Sequence, residues 1–216
     1  MTLTVLPATA ESTDTQGTQT TPVATEAVVK PATRVRTKLG VTSARRHILA
    51  GRRTSVRGKL YRGGSGRVVK LQLRRGKRWV TVARTKTRRN GRYTVRATVR
   101  RIGTYRLRVR FAGDKTARGS RRTIGRLNVY RKVFASWYSI GGGTVACPGG
   151  TRGAKYTVAH KSLPCGTKVT FRYRGRTVRA TVVDRGPFVG NREYDLEAAT
   201  KQALRAGDLT TLMSTR

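Results

Sequence analysis

Two aspartates carry the most specific chemistry in this chain. Asp184 ends a strand-like run, Thr177 to Val183, and is followed at once by a Gly-Pro turn; Asp195 lies eleven positions on and opens a helical pattern. The chain has only nine acidic residues against 48 Lys+Arg, and Asp184, Glu193 and Asp195 all fall within Val182–Leu196. Two carboxylates at element ends, one loop apart, can face a single cleft and divide acid, base and charge-stabilising work between them. Each also has a plainer use. An Asp leaving a strand into a turn can accept turn amides, and an Asp at the start of a helix is a standard N-cap.

His160 joins them as a proton-transfer candidate, because histidine is the side chain most easily poised near neutrality. The other histidine, His47, falls in a different part of the chain. Arg185, directly after Asp184, could tune that carboxylate or hold an anionic substrate group. Trp137 and Tyr138 could line a groove by stacking, although for Trp137 alone a core position is the expectation. Cys147 and Cys165 lack the His or Asp spacing of a closed tetrahedral metal site, so no metal is expected. A disulfide between them would imply an oxidising compartment; two buried thiols are the alternative.

The elements around these residues are mostly strands. From about residue 41 to 130, apolar and basic residues alternate with period two, as in Val69, Leu71 and Leu73 against Lys70, Gln72 and Arg74. Seven strands are expected near 37–43, 54–61, 68–74, 79–84, 92–99, 104–111 and 122–129, with Asn90-Gly91 as a tight-turn signal. This pattern reads as an immunoglobulin-like β-sandwich over residues 37–131. A second module over 132–216 has strand-like pieces at Val133–Tyr138, Thr167–Tyr173 and Thr177–Val183. One helix is expected at Asp195–Ala206, stopped by Gly207. These elements suggest a compact barrel, and the whole chain reads as all-β with one short helix.

Residues 1–36 read as the remnant of a signal peptide, with Ala8-Thr9-Ala10 resembling a cleavage site, or as a Thr-rich disordered tether. No run of eighteen apolar residues occurs, so no spanning helix is expected. The net charge of +39 calls for an anionic partner. Between residues 41 and 131 there are 30 Lys+Arg and one acid, Asp114. That basic sandwich is either a solvated exterior or a surface that adheres to anionic polymers, and adhesion is the favoured reading. Sequence-specific nucleic-acid recognition is not expected, since no recognition helix, finger spacing or RRM-like aromatic pair is present.

Four motifs in order, Ala135–Tyr138, Ala159–Val169, Val183–Phe188 and Glu193–Thr200, resemble the rare lipoprotein A (RlpA)-like domain. The resemblance covers roughly residues 132–216 and implies a double-psi β-barrel, related to expansins and to family 45 glycoside hydrolases. The Ala146-Cys147 and Leu163–Cys165 pieces are similar to secreted actinobacterial members that carry an Ig-like module in front. The resemblance implies a secreted cell-wall protein that works on peptidoglycan glycan strands, without a cofactor and as a monomer. Its activity would be lytic transglycosylase cleavage of the MurNAc–GlcNAc bond, or non-catalytic, expansin-like binding. His160, Asp184 and Asp195 match the family's groove His and its two Asp positions. Tyr138, Trp137, Arg185 and Phe188 are the expected substrate contacts. The Gly-rich segment Gly141–Tyr156 departs from the family's longer groove wall.

Overall fold

The computed structural model describes residues 33–151 and 153–216; the leader expected at residues 1–36 lies outside the described residues as far as residue 32. Thirteen strands and one helix follow in order among the described residues. The first eight strands are β1 (Lys38–Ala44), β2 (His47–Leu49), β3 (Arg53–Tyr61), β4 (Val68–Arg75), β5 (Arg78–Lys86), β6 (Arg92–Thr98), β7 (Gly103–Gly113) and β8 (Arg118–Tyr138). They are followed by β9 (Thr157–His160), β10 (Lys168–Tyr173), β11 (Arg176–Asp184), β12 (Tyr194–Glu197), α1 (Ala198–Leu204) and β13 (Thr210–Ser214).

Alternation builds the first core. Val69, Leu71 and Leu73 of β4, Tyr93, Val95 and Ala97 of β6, and Leu107, Val109 and Phe111 of β7 are all buried in one cluster. That cluster takes side chains from two sheets: the three-stranded β1-β3-β6 and the part of the ten-stranded sheet that runs β8-β7-β4-β5. Each fully buried Leu or Phe contributes about 1.5–3 kcal/mol relative to exposure. The Asn90-Gly91 turn forms where expected, with Gly91 at φ +75°. A Cβ there would come 2.5 Å from the Leu60 carbonyl oxygen, so the turn excludes a side chain as well as favouring glycine's conformation.

All seven strands expected in this region form, with one addition and one merger. His47–Leu49 adds a short strand parallel to β8. Three residues are too few to show a period, which is why the sequence pattern passes over it. The expected strand at 122–129 does not end there. It continues through Val133–Tyr138 as the 21-residue β8. One strand therefore serves both halves of the chain.

The second core gathers Val133, Ala135, Val158, Val169, Phe171, Val182, Tyr194, Leu196 and Leu212 beside β8. The Phe171 and Tyr194 rings meet edge-on at 5.0 Å, a preferred aromatic geometry. The pairing order is β8-β13-β10-β11-β9-β12, and β12 also pairs with β8, so the sequence of pairs returns to its starting strand.

The helix differs from expectation. It spans Ala198–Leu204, and its N-cap is Glu197, whose side chain accepts the Ala199 amide at 2.9 Å. Asp195 lies instead within β12, because Tyr194–Glu197 is claimed on both sides by ladders to β8 and β9. The helix ends at Arg205 in the left-handed region, before Gly207 is reached.

Candidate functional site

Strand register brings the two aspartates to one place. β11 and β9 run parallel, and a bulge between Val182 and Asp184 leaves Val183 without a partner, so that Asp184 stands beside Ala159. From the other side, antiparallel β12 places Asp195 opposite the same Ala159. The two carboxylates thus flank one small side chain, two inter-strand steps apart, a backbone spacing of roughly 10 Å. β12 also aligns Asp195 with Ser136 and Glu197 with Tyr138 on parallel β8.

Hydrogen bonds fix both groups. Asp184 Oδ1 accepts the Ala146 amide at 2.9 Å and the Arg185 amide at 2.8 Å. Asp195 Oδ1 accepts a bond from the Ser136 hydroxyl. The turn-acceptor use expected for Asp184 is therefore present, on one oxygen. The cap expected for Asp195 is not, because Glu197 takes that position.

Near these carboxylates lies the Tyr138 hydroxyl. It is buried and makes no hydrogen bond among the described residues. Burial first, and then the charges of Asp184, Glu197 and Asp195, hold its pKa well above the ordinary tyrosine value. The Asp184 carboxylate is near enough to act on the phenol, but the geometry falls short of a hydrogen bond. Buried unpaired donors are uncommon and concentrate at working sites. Here one faces three carboxylates.

His160 is not part of this group. In the β9–β12 ladder it stands opposite Tyr194, while Ala159 stands opposite Asp195. Alternation therefore puts His160 on the other face, with its ring 4.7 Å from the buried Tyr194 ring. Its Nδ1 accepts the amides of Ser162 and Leu163 at 3.1 and 3.0 Å, which a protonated ring cannot do. Burial, followed by the cations Arg131, Arg185 and Lys161, lowers its pKa against an opposing pull from Glu193.

Arg185 is likewise occupied. Its guanidinium donates to the His160 and Leu163 carbonyls at 3.2 and 2.9 Å and approaches Cys165 Sγ at 2.9 Å. It ties the 160–165 segment to the end of β11. The disulfide joins Cys147 to Cys165 with Cα atoms 5.7 Å apart, which excludes the two-thiol alternative. Cys147 also donates its amide to Val183 at 3.0 Å, so the Gly-rich segment is anchored against the strand that carries Asp184.

Trp137 departs from the expected core position. It is 39 % exposed, with the Lys201 ammonium 3.8 Å over its ring. Its place at the end of β8, next to α1, leaves no further layer to cover it. Phe188 is 76 % exposed on the loop after β11. Ser136 and Glu197 escaped sequence reasoning as site residues. The signal was present in the Tyr194–Glu197 alternation, which puts Asp195 and Glu197 on one face. Among the described residues no group of three or more His, Cys, Asp or Glu is placed to hold a metal ion.

No protein-family model matches the chain. One stretch of 75 residues, 33 % of this chain, is 40 % identical to a Synechocystis protein described as a probable endolytic peptidoglycan transglycosylase, RlpA. The likeness is to RlpA, in part. The aligned stretch covers 23 % of that relative's length, so this chain matches about a quarter of it.

Proposed function

We propose that this chain is a secreted cell-wall protein that acts on peptidoglycan glycan strands as a lytic transglycosylase. In this reading residues 37–131 form an Ig-like sandwich and residues 132–216 a double-psi β-barrel. The partial likeness to an RlpA transglycosylase supports the substrate class, and the disulfide supports an oxidising compartment. The observation that carries the reaction is the pair Asp184 and Asp195 flanking Ala159, with the unpaired Tyr138 hydroxyl beside them.

Asp184, with Oδ1 held by two amides, presents Oδ2 as the acid that protonates the leaving glycosidic oxygen. Asp195, steadied by Ser136, stabilises the oxocarbenium-like centre. The sugar's own hydroxyl then attacks that centre and returns its proton to the Asp184 carboxylate, giving an anhydro end and regenerating the acid, so no bound water is consumed. The Tyr138 hydroxyl, lacking a partner, is suited to bond a sugar oxygen. His160 and Arg185 act as positioning residues that hold the 160–165 segment. The test is digestion of purified peptidoglycan scored for anhydro-muropeptides. Asp184→Asn should lower the rate by roughly 10²-fold or more, and Asp195→Asn should lower it as well. Absence of anhydro product from the unaltered protein across a range of pH sinks the enzymatic reading.

One observation favours a second reading, non-catalytic, expansin-like gripping of the glycan. Phe188 is far more exposed than Trp137, whose ring lies under Lys201, and an exposed aromatic offers sugars a stacking surface. Peptidoglycan binding that persists without anhydro product and falls with Phe188→Ala would select this reading.

A further inference from the structure

Strand register lines up cations across four strands of the ten-stranded sheet. Arg84 of β5 stands opposite Lys70 of β4, Lys70 opposite Arg110 of β7, and Arg110 opposite Arg121 of β8. Further along the same strands Arg106 stands opposite Arg126. The neighbouring pair Leu73 and Leu107 brings Arg74 into line with them at the next step. Like charges directly opposite one another destabilise a strand pair.

Among the described residues no ion pair offsets these rows. The ion pairs among the described residues use Arg67, Arg131 and Lys201, none of which belongs to either row. Only the row between them is relieved: Arg108 donates to Gln72 at 2.8 Å and lies 3.9 Å over the Trp79 ring. Burial, then the Arg110 and Arg121 charges, pull the Arg108 guanidinium below its ordinary value.

The Arg106–Arg126 row opens into a cavity of about 640 Å³. Arg74, Arg101, Arg106 and Arg126 line it together with Thr170 of β10 and Arg179 of β11. Guanidinium groups from several strands therefore surround one volume. A planar carboxylate satisfies a single fork well, whereas a tetrahedral phosphate presents oxygens to donors from several directions.

We propose that this cationic face and its cavity bind a phosphodiester-linked anionic polymer of the cell wall, with Arg74, Arg106, Arg126 and Arg179 holding its phosphates. For its setting, though not for its chemistry, this rests on the cell-wall reading above. Nucleic acid fits the surface less well. The one helix among the described residues has seven residues and lies in the other half of the chain, so the face offers no helix to enter a groove. Trp79 on this face is covered by Arg108, and Tyr105, which lines the cavity, is tied through its hydroxyl to the Arg101 and Ile102 carbonyls, so neither ring stands free for base stacking.

The experiment titrates the full chain with poly(glycerol phosphate) at several salt concentrations. The unaltered protein should bind with strong salt dependence. Arg106→Gln with Arg126→Gln should weaken binding roughly tenfold and reduce the salt slope by about two. The control removes two exposed arginines from the three-stranded sheet, Arg57→Gln with Arg96→Gln, and should leave affinity within about twofold. Three results would overturn the proposal: equal losses in both double variants, equal affinity for polygalacturonate of matched charge, or tighter binding of a single-stranded oligonucleotide. Peptidoglycan digestion by the Arg106/Arg126 variant is scored separately. Failure of the transglycosylase reading and failure of the polymer site therefore appear in different assays.

Discussion

The ten-stranded sheet carries two surfaces of opposite character. Across β5-β4-β7-β8 it aligns cation with cation, mostly exposed and without an ion pair among the described residues. Across β11-β9-β12-β8 it gathers Asp184, Asp195 and Glu197 around one buried hydroxyl, in a chain that has only nine acids in all. The cationic surface needs only that its outward positions be rich in Arg and Lys; its internal repulsion is a cost that an external anion can offset. The acidic surface depends on a bulge, a disulfide-anchored segment and a serine to hold two carboxylates in place. One surface is made by residue type and suits bulk adhesion to a polymer. The other is made by register and suits chemistry on a positioned bond.

The largest effect that separates the two surfaces should come from the disulfide. Cys147→Ser with Cys165→Ser opens a loop of 18 residues and should cost about 3 kcal/mol in urea unfolding. It should also lower peptidoglycan activity, because Ala146 and Cys147 hold the end of β11. Binding of poly(glycerol phosphate) by the folded variant should be unchanged. A parallel loss of polymer binding would show that the two surfaces are not independent.

Acid should act next. Burial is the main cause that holds both His47 and His160 below the ordinary histidine value of 6.5. The unfolded chain therefore binds more protons than the folded one just below that value, and stability should fall as pH drops through it. At higher pH both rings are neutral in either state, and the effect vanishes. Thermal unfolding followed between pH 5 and 8 should show this decline, and His160→Gln should flatten part of it. A stability that rises on acidification across this range contradicts the assignment of His160 as a neutral acceptor.

The smallest effect is the most specific. Tyr138→Phe removes a buried hydroxyl that has no partner, so it should leave stability unchanged or raise it by about 1 kcal/mol. It should nonetheless slow peptidoglycan cleavage. A clear loss of stability would mean that the hydroxyl is bonded in solution, and the site would lose its unpaired donor.

Much of the β-rich first half was legible because its signal is local. Lys70, Gln72 and Arg74 alternate with Val69, Leu71 and Leu73, and any strand that buries the second set exposes the first. The second half was harder to read. Thr157–His160 is short and largely buried, so it has no alternation to detect. Tyr194–Glu197 does alternate, but it adjoins good helix formers, so the sequence pattern extends the helix back to Asp195. Trp137 has an apolar ring and a core-like sequence setting, yet it stands at the end of β8, 39 % exposed with Lys201 over its ring.

Asp184, Asp195 and His160 show what each level decided. The sequence alone established that these residue types exist in a basic chain, that a turn follows Asp184, and that the surface would be overwhelmingly cationic. Those facts depend on composition and on neighbours a few positions away. Only the tertiary structure decided that Asp184 and Asp195 share Ala159 as a neighbour, while His160, one residue along, faces the opposite way. A strand turns alternate side chains to opposite faces, and a single bulge reverses that choice. Sequence spacing does not carry that information; the pairing of β9, β11 and β12 does.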